Sequence, residues 1–390
     1  MMTTMAKVGA ARIRESFLEH FGEPELIVRG PGRVNLIGEH TDYNLGFVLP
    51  AAVDKAIWLA MSPRADGRCR FHSVDLNESC EVDLKDLARS EHHWANYLLG
   101  VITEFLADGR SLGGVDCAFG GDVPIGSGMS SSAALECGFA FGLNELFDLG
   151  YDRLALARLG QRAENRYVGV ACGIMDQFAS LLGREGRLIR LDCRDLSFEY
   201  APFERSDLRV VLCDSRVRRT LAGSEYNVRR TQCETGVALL AGQYPGVKSL
   251  RDVTPAMLQA HRKELNPVVF RRCDYVVREN GRVLEACEAL GRSDFEAFGA
   301  LMNASHDGLR DDYEVSCAEL DILVNGARTI PGVLGSRMMG AGFGGCTISL
   351  VEEGALTDFS VCMADIYRKG LGTEPRIHEC RLTGGTASVE

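Results

Sequence analysis

Residues 33–43 gather one guanidinium, two carboxylates, an imidazole and a phenol: Arg33, Glu39, His40, Asp42 and Tyr43. They follow an apolar run, Leu26-Ile27-Val28, and a turn opened by Gly30-Pro31-Gly32. That density of fixed donors and acceptors suits a polyhydroxylated ligand, because every sugar hydroxyl both donates and accepts a hydrogen bond. A second constellation runs from Pro124 through Gly126-Ser127-Gly128-Met129-Ser130-Ser131-Ser132 to Ala134. Its two glycines permit close backbone approach. The serines then open a helix whose free N–H groups attract an anion, with hydroxyls as donors and a possible metal ligand. No lysine follows the second glycine, so this is not a Walker A loop. A serine-capped helix after a tight turn is the bland alternative.

A third cluster, Gly340-Ala341-Gly342-Phe343-Gly344-Gly345, satisfies GxGxxG but precedes a strand pattern at 347–351. The dinucleotide fingerprint must open a helix, so that reading fails on context. A flexible loop covering a ligand near the phosphate site fits better, with a plain tight turn as the alternative.

Periodicity suggests the elements that would position these groups. Strands are predicted at 47–49, 56–61, 69–71, 115–119, 188–191, 208–213, 347–351 and 377–381. Helices are predicted at 96–106, 131–146, 153–166, 177–182, 225–240, 270–290, 294–309 and 317–325. Ile13, Phe17, Leu18 and Phe21 read as one face of a leading helix. The mixture is α+β, and 390 residues suggest two domains. The polar stretch 192–207 is the expected boundary, giving domains 1–200 and 201–390.

A net charge of −11 argues against a nucleic-acid or anionic-membrane partner. The fourteen cysteines are scattered without a close CxxC pair, which reads as reduced thiols in the cytoplasm. The most apolar long window, 47–61, is broken by Asp54 and Lys55 and cannot span a bilayer.

Taken together, the three clusters resemble the GHMP small-molecule kinases, and Gly32 to Asn44 followed by Val48-Leu49-Pro50 resembles the galactokinase family within them. Gly173-Ile174-Met175-Asp176-Gln177 and the run from Gly223 to Arg230 also fit, so the likeness spans about residues 30–350. Met129 stands where leucine is usual. Leu99 stands where these enzymes commonly carry a basic residue.

The resemblance implies an N-terminal α/β domain with a left-handed crossover, a ferredoxin-like C-terminal domain, and an active site in the cleft between them. It implies a monomeric, cytoplasmic enzyme moving the γ-phosphoryl group of ATP to the anomeric hydroxyl of D-galactose, with Mg2+. Asp176 is the implied base and Arg33 its partner in stabilising the transition state; Glu39, His40, Thr41, Asp42 and Tyr226 are the implied sugar contacts. The loop 126–132 would hold the nucleotide phosphates, with Ser132 and Glu164 on the metal.

Each role has a plainer alternative. Asp176 could cap a helix beginning at Gln177, Glu164 could be an exposed helical acid paired with Arg162 or Arg166, and Tyr226 could be a packed aromatic. A guanidinium beside Asp176 favours the ionised carboxylate and weakens it as a base. Phosphoryl transfer through a loose transition state needs little early deprotonation, so Asp176 is expected to position first and accept the proton late. An acetamido-sugar kinase and a non-catalytic galactose sensor are the rivals. The uninterrupted run Glu39 to Asn44 and the complete run Ser130 to Ala134 favour galactose and catalysis.

Overall fold

The strand that leads into the polar motif runs over Leu26–Asn35 in the computed structural model, which describes residues 4–124, 128–170, 172–217 and 222–389. It belongs to a six-stranded sheet ordered Ala387–Val389, Leu26–Asn35, Pro50–Arg64, Gly114–Gly121, Arg68–Ser73 and Glu78–Asp83. Neighbours pair antiparallel except Arg68–Ser73, which lies parallel to Gly114–Gly121.

The apolar window 47–61 is explained by the two covered faces of one strand. Along Pro50–Arg64, Ile57, Leu59 and Met61 enter the main core beneath the helix Ser131–Leu146, whereas Ala56, Trp58 and Ala60 meet the helix Thr4–Phe21. Successive strand residues point to opposite faces, so a sheet covered on both sides needs a continuous apolar run. On the leading helix, Ile13 and Phe17 are buried and Phe21 packs beside them. Leu18 points to solvent instead, which corrects its assignment to that face.

Gly30 sets the height of the helix Ser131–Leu146 above the sheet: a Cβ there would lie 2.2 Å from the Ala134 carbonyl oxygen. The helix start is thereby brought to the end of the first strand, where Arg33 N–H donates to the Met129 carbonyl at 3.0 Å. The two sequence motifs are stapled together by backbone before any side chain is considered.

The second half carries an antiparallel sheet ordered Val333–Met338, Cys346–Glu352, Leu208–Asp214, Arg376–Cys380. In chain order this is strand order 2-3-1-4, with helices between the first and second strands and between the third and fourth. That is the ferredoxin-like βαββαβ arrangement, enlarged by Ala222–Gln243, Pro267–Gly291 and Phe295–Asp311. The polar stretch 192–207 contains a strand, Phe198–Pro202, in a small sheet with Arg187–Asp192 and Phe47–Val48. The chain's end crosses back to the first half, pairing Val389 with Ile27.

Leu99 is fully buried in the core, which accounts for an apolar residue there. All fourteen cysteines are free thiols. Among the described residues, no helix is long and apolar enough to cross a membrane.

Candidate active site

A cleft of about 570 Å³ is lined by residues of both halves, among them Arg33, Asp42, Gly128, Asp176, Tyr226 and Gly340. At its floor, Arg33 grips Asp176 through two parallel bonds, Nε to Oδ1 at 2.7 Å and Nη2 to Oδ2 at 2.6 Å. The third arm of the guanidinium donates to the Gly128 carbonyl, and the Ser130 hydroxyl donates to Asp176 Oδ2. A bidentate fork of this kind fixes the carboxylate plane as well as its charge. Asp176 lies in the first turn of Met175–Leu182, after an N-cap at Ile174, so the capping alternative does not hold.

The residues 128–132 do not all face outward as donors. Met129 is fully buried, and its carbonyl together with that of Gly128 is taken up by Arg33. Ser130 adopts a left-handed backbone (φ 58°) and spends its hydroxyl on Asp176. Ser131 and Ser132 open the helix and remain half-buried. Gly126 and Ser127 lie outside the described residues.

The sugar motif is held from the other half. Glu39 Oε1 accepts from Arg337 Nη2 and from the Gly340 N–H, each at 2.9 Å. Burial alone would raise this carboxyl's pKa, but Arg337 and the Gly340 amide hold it below the ordinary carboxylate range. The third glycine cluster therefore braces a residue of the first motif, and Gly340 and Ala341 also line the cleft.

Burial pushes His40 down to about 4, leaving the imidazole neutral at ordinary pH. Its Nδ1 meets the Tyr43 hydroxyl at 2.8 Å, and Tyr43 meets the Tyr313 hydroxyl at 2.7 Å. Nε2 is buried without a hydrogen-bond partner of normal geometry, on a residue that lines the cleft. The Tyr226 ring completes this cluster, 5.7 Å from His40 and 5.0 Å from Tyr43 between centroids. Thr41 is different. Its buried hydroxyl is shared between the Gly38 and Phe47 carbonyls at 2.9 and 2.6 Å, so it closes the loop on itself and does not reach the cleft.

Asp42 packs against Gly173, where a Cβ would come within 2.1 Å of Oδ2. Burial, with the Asp176 carboxylate adding to it, raises Asp42 to about 6. An ionised carboxylate accepts from a hydroxyl more strongly than its neutral acid does, so kcat/KM for a hydroxylated substrate held by Asp42 should fall as pH drops below about 6. The neutral His40 adds nothing there. A pH profile checks this, and Asp42→Asn should flatten its acid limb.

Glu164 is the largest departure from the bland alternative. It sits on a π-helical turn, Ala163–Val168, is 6% exposed, and has neither Arg162 nor Arg166 as partner. Those arginines turn to Glu104 and Asp108. Inserting a residue into the helical turn redirects side chains, and such bulges concentrate at functional sites. Gln177 Nε2 donates to Glu164 Oε2 at 2.7 Å, and Ser132 also lies against this carboxyl. Burial, then the Asp176 carboxylate, raises its pKa.

Sequence reasoning assigned no role to Arg337, Tyr313, Gln177 or Glu136. Arg337 is fully buried, donating to the Asn35, Leu36 and Met338 carbonyls as well as to Glu39. Its alternation within a short strand gave no warning, because strand periodicity does not distinguish a buried guanidinium from an exposed one.

The two-domain fold, with a serine-rich loop opening a helix beside the cleft, defines a GHMP small-molecule kinase. Models of the GHMP kinase N-terminal and C-terminal domains match residues 96–184 and 283–359, and one described as the galactokinase galactose-binding signature matches 15–63. A galactokinase of Roseiflexus sp. is 45% identical over 97% of this chain and 96% of its own length. One of Bos taurus is 46% identical over 88% of each. The crystal structure of Lactococcus lactis galactokinase complexed with galactose superposes with a TM-score of 0.93, at 34% identity, covering 97% of this chain and 99% of that one. The chain belongs to the galactokinase family of ATP-dependent sugar kinases.

Proposed function

We propose that the cleft transfers the γ-phosphoryl group of ATP to the anomeric hydroxyl of D-galactose, giving galactose 1-phosphate and ADP. The observation that carries this reading is the Arg33–Asp176 fork, set between the sugar motif and the start of the serine-rich helix. The sugar O1–Pγ bond forms as the bond from Pγ to the β,γ-bridging oxygen breaks, and the hydroxyl proton passes to an Asp176 oxygen. Arg33 fixes the orientation of that carboxylate, so its main contribution is to aim the hydroxyl, with proton acceptance late. Asp42, Glu39, Tyr226 and His40 would meet the other hydroxyls, and an epimer would leave one of them unpaired.

Glu164 and Ser132 offer a carboxylate and a hydroxyl, hard oxygen donors suited to Mg2+, which takes few protein ligands. Among the described residues Glu164 forms no ion pair, although it lies within the field of the Arg33 guanidinium. Bound there with the nucleotide, the ion would neutralise charge on the phosphate oxygens. The reading includes a cytoplasmic monomer divided near residue 200, with the last strand returned to the first half.

ADP release over a panel of sugars tests the assignment. Galactose should be the fastest substrate. No ADP with galactose, or faster turnover with N-acetylgalactosamine, would overturn it.

A further inference from the structure

The loop that carries Glu39 and His40 is gripped from outside the cleft. Three buried side chains of the helix Pro267–Gly291 reach backbone atoms of residues 38–47. Glu279 Oε1 accepts from the Gly38 N–H at 2.9 Å, the Tyr275 hydroxyl donates to the Glu39 carbonyl at 3.1 Å, and Asn280 Oδ1 accepts from the Phe47 N–H at 2.9 Å. Residues 275 and 279 share a helix face, and 280 lies round the helix from them, at the far end of the loop. Glu279 is itself fixed: Ser305 Oγ donates to Oε1 and Arg282 Nε to Oε2, each at 2.6 Å. The approach is close, since a Cβ on Gly46 would lie 2.3 Å from Asn280 Oδ1. The Thr41 hydroxyl takes the carbonyls of Gly38 and Phe47, and the helix takes the N–H groups of the same two residues. Between these held ends His40 (φ 63°) and Leu45 (φ 56°) are left-handed without being glycine. Such conformations are costly and persist only where the surroundings over-determine them.

We propose that Tyr275, Glu279 and Asn280 are positioning residues for the sugar: from one helix of the second half they hold the 38–47 loop in the strained form that turns Glu39 and His40 into the cleft. A loop held in this way is ordered before the ligand arrives, so binding does not have to order it. When the holding contacts go, the fraction of molecules with a competent loop falls, and apparent sugar affinity falls with it. Asp176 and the serine-rich segment stand on other elements, Met175–Leu182 and Ser131–Leu146, and do not depend on these three bonds.

This inference rests on Glu39 and His40 meeting the sugar, and the test separates the two. Glu279→Ala would strand Arg282 as well as Gly38, so the clamp is opened at its other two contacts, by Tyr275→Phe, Asn280→Ala and the double variant. Galactose Kd is measured by calorimetry, alongside kcat, the KM for ATP, Tm and hydrogen exchange of the 38–47 amides. Val276→Ala, which removes buried apolar volume and none of the three bonds, is the stability control. The double variant should weaken galactose binding about tenfold and speed exchange across 38–47, with kcat and the KM for ATP within about threefold. Val276→Ala should lower Tm comparably and leave galactose Kd within about twofold. His40→Asn, a residue type that tolerates the left-handed backbone, reports on the sugar contact itself and should also weaken galactose about tenfold. Unchanged galactose Kd in the double variant with weakened binding in His40→Asn would overturn the clamp alone. Unchanged binding in both would overturn the sugar contact and this inference with it. Equal weakening in Val276→Ala would show that binding follows stability, and would also overturn it.

Discussion

Asp176→Asn should lower kcat by about three orders of magnitude while galactose binds within about threefold of wild type by calorimetry. The substitution keeps size and removes charge, so its effect reads the carboxylate itself. In the native site both oxygens accept from Arg33 and Oδ2 accepts again from Ser130. An amide offers one oxygen to that fork, so its NH2 group faces an Arg33 N–H, which cannot accept from it. The proposed proton acceptor and the oriented partner of Arg33 are lost together. A thousandfold loss corresponds to about 4 kcal/mol of transition-state stabilisation, within what a positioned acid–base group supplies. Near-normal turnover would remove Asp176 from the chemistry.

The second large effect concerns stability as well as sugar binding. Glu39→Ala should destabilise the fold by about 3 kcal/mol, because breaking a buried ion pair strands the remaining charge. The pair is buried on both sides, at 5% exposure for Glu39 and 0% for Arg337. Arg337 retains the Asn35, Leu36 and Met338 carbonyls, which places the loss at the lower end of the range for such pairs. Glu39→Gln keeps an acceptor for Arg337 and Gly340 and should recover more than half of the loss. Because the folded carboxyl lies below its ordinary range, this stability is present above the unfolded pKa and is lost as pH falls through the depressed value. Urea unfolding of the three proteins at neutral pH measures the difference.

Much of this site was legible along the chain, for a local reason. Arg33, Asp42, Asp176 and the serine-rich loop lie in short segments whose composition is costly unless it serves a ligand, and the structure brings those described to one cleft. What escaped depends on groups distant in sequence. Glu164 could be singled out only through the family resemblance, because a π turn leaves no mark in the local sequence. Thr41 looked like a ligand contact because it stands between His40 and Asp42, yet the tight loop needed its hydroxyl for two carbonyls. The role of the third glycine cluster depended on Glu39, some three hundred residues earlier, meeting Gly340 and Arg337. The returning strand Ala387–Val389 is three residues long, too short for any period to show.

The central claim is that one cleft joins the anomeric oxygen of galactose to the γ-phosphoryl group under the control of Asp176 and Arg33. The most direct test is phosphorus and carbon NMR of the product formed from ATP and carbon-13-labelled galactose. Phosphorus coupling to C1, absent when Asp176→Asn replaces wild type over the same interval, is the expected result. Phosphate on any other carbon, or the same C1 product formed at an undiminished rate by Asp176→Asn, would contradict it.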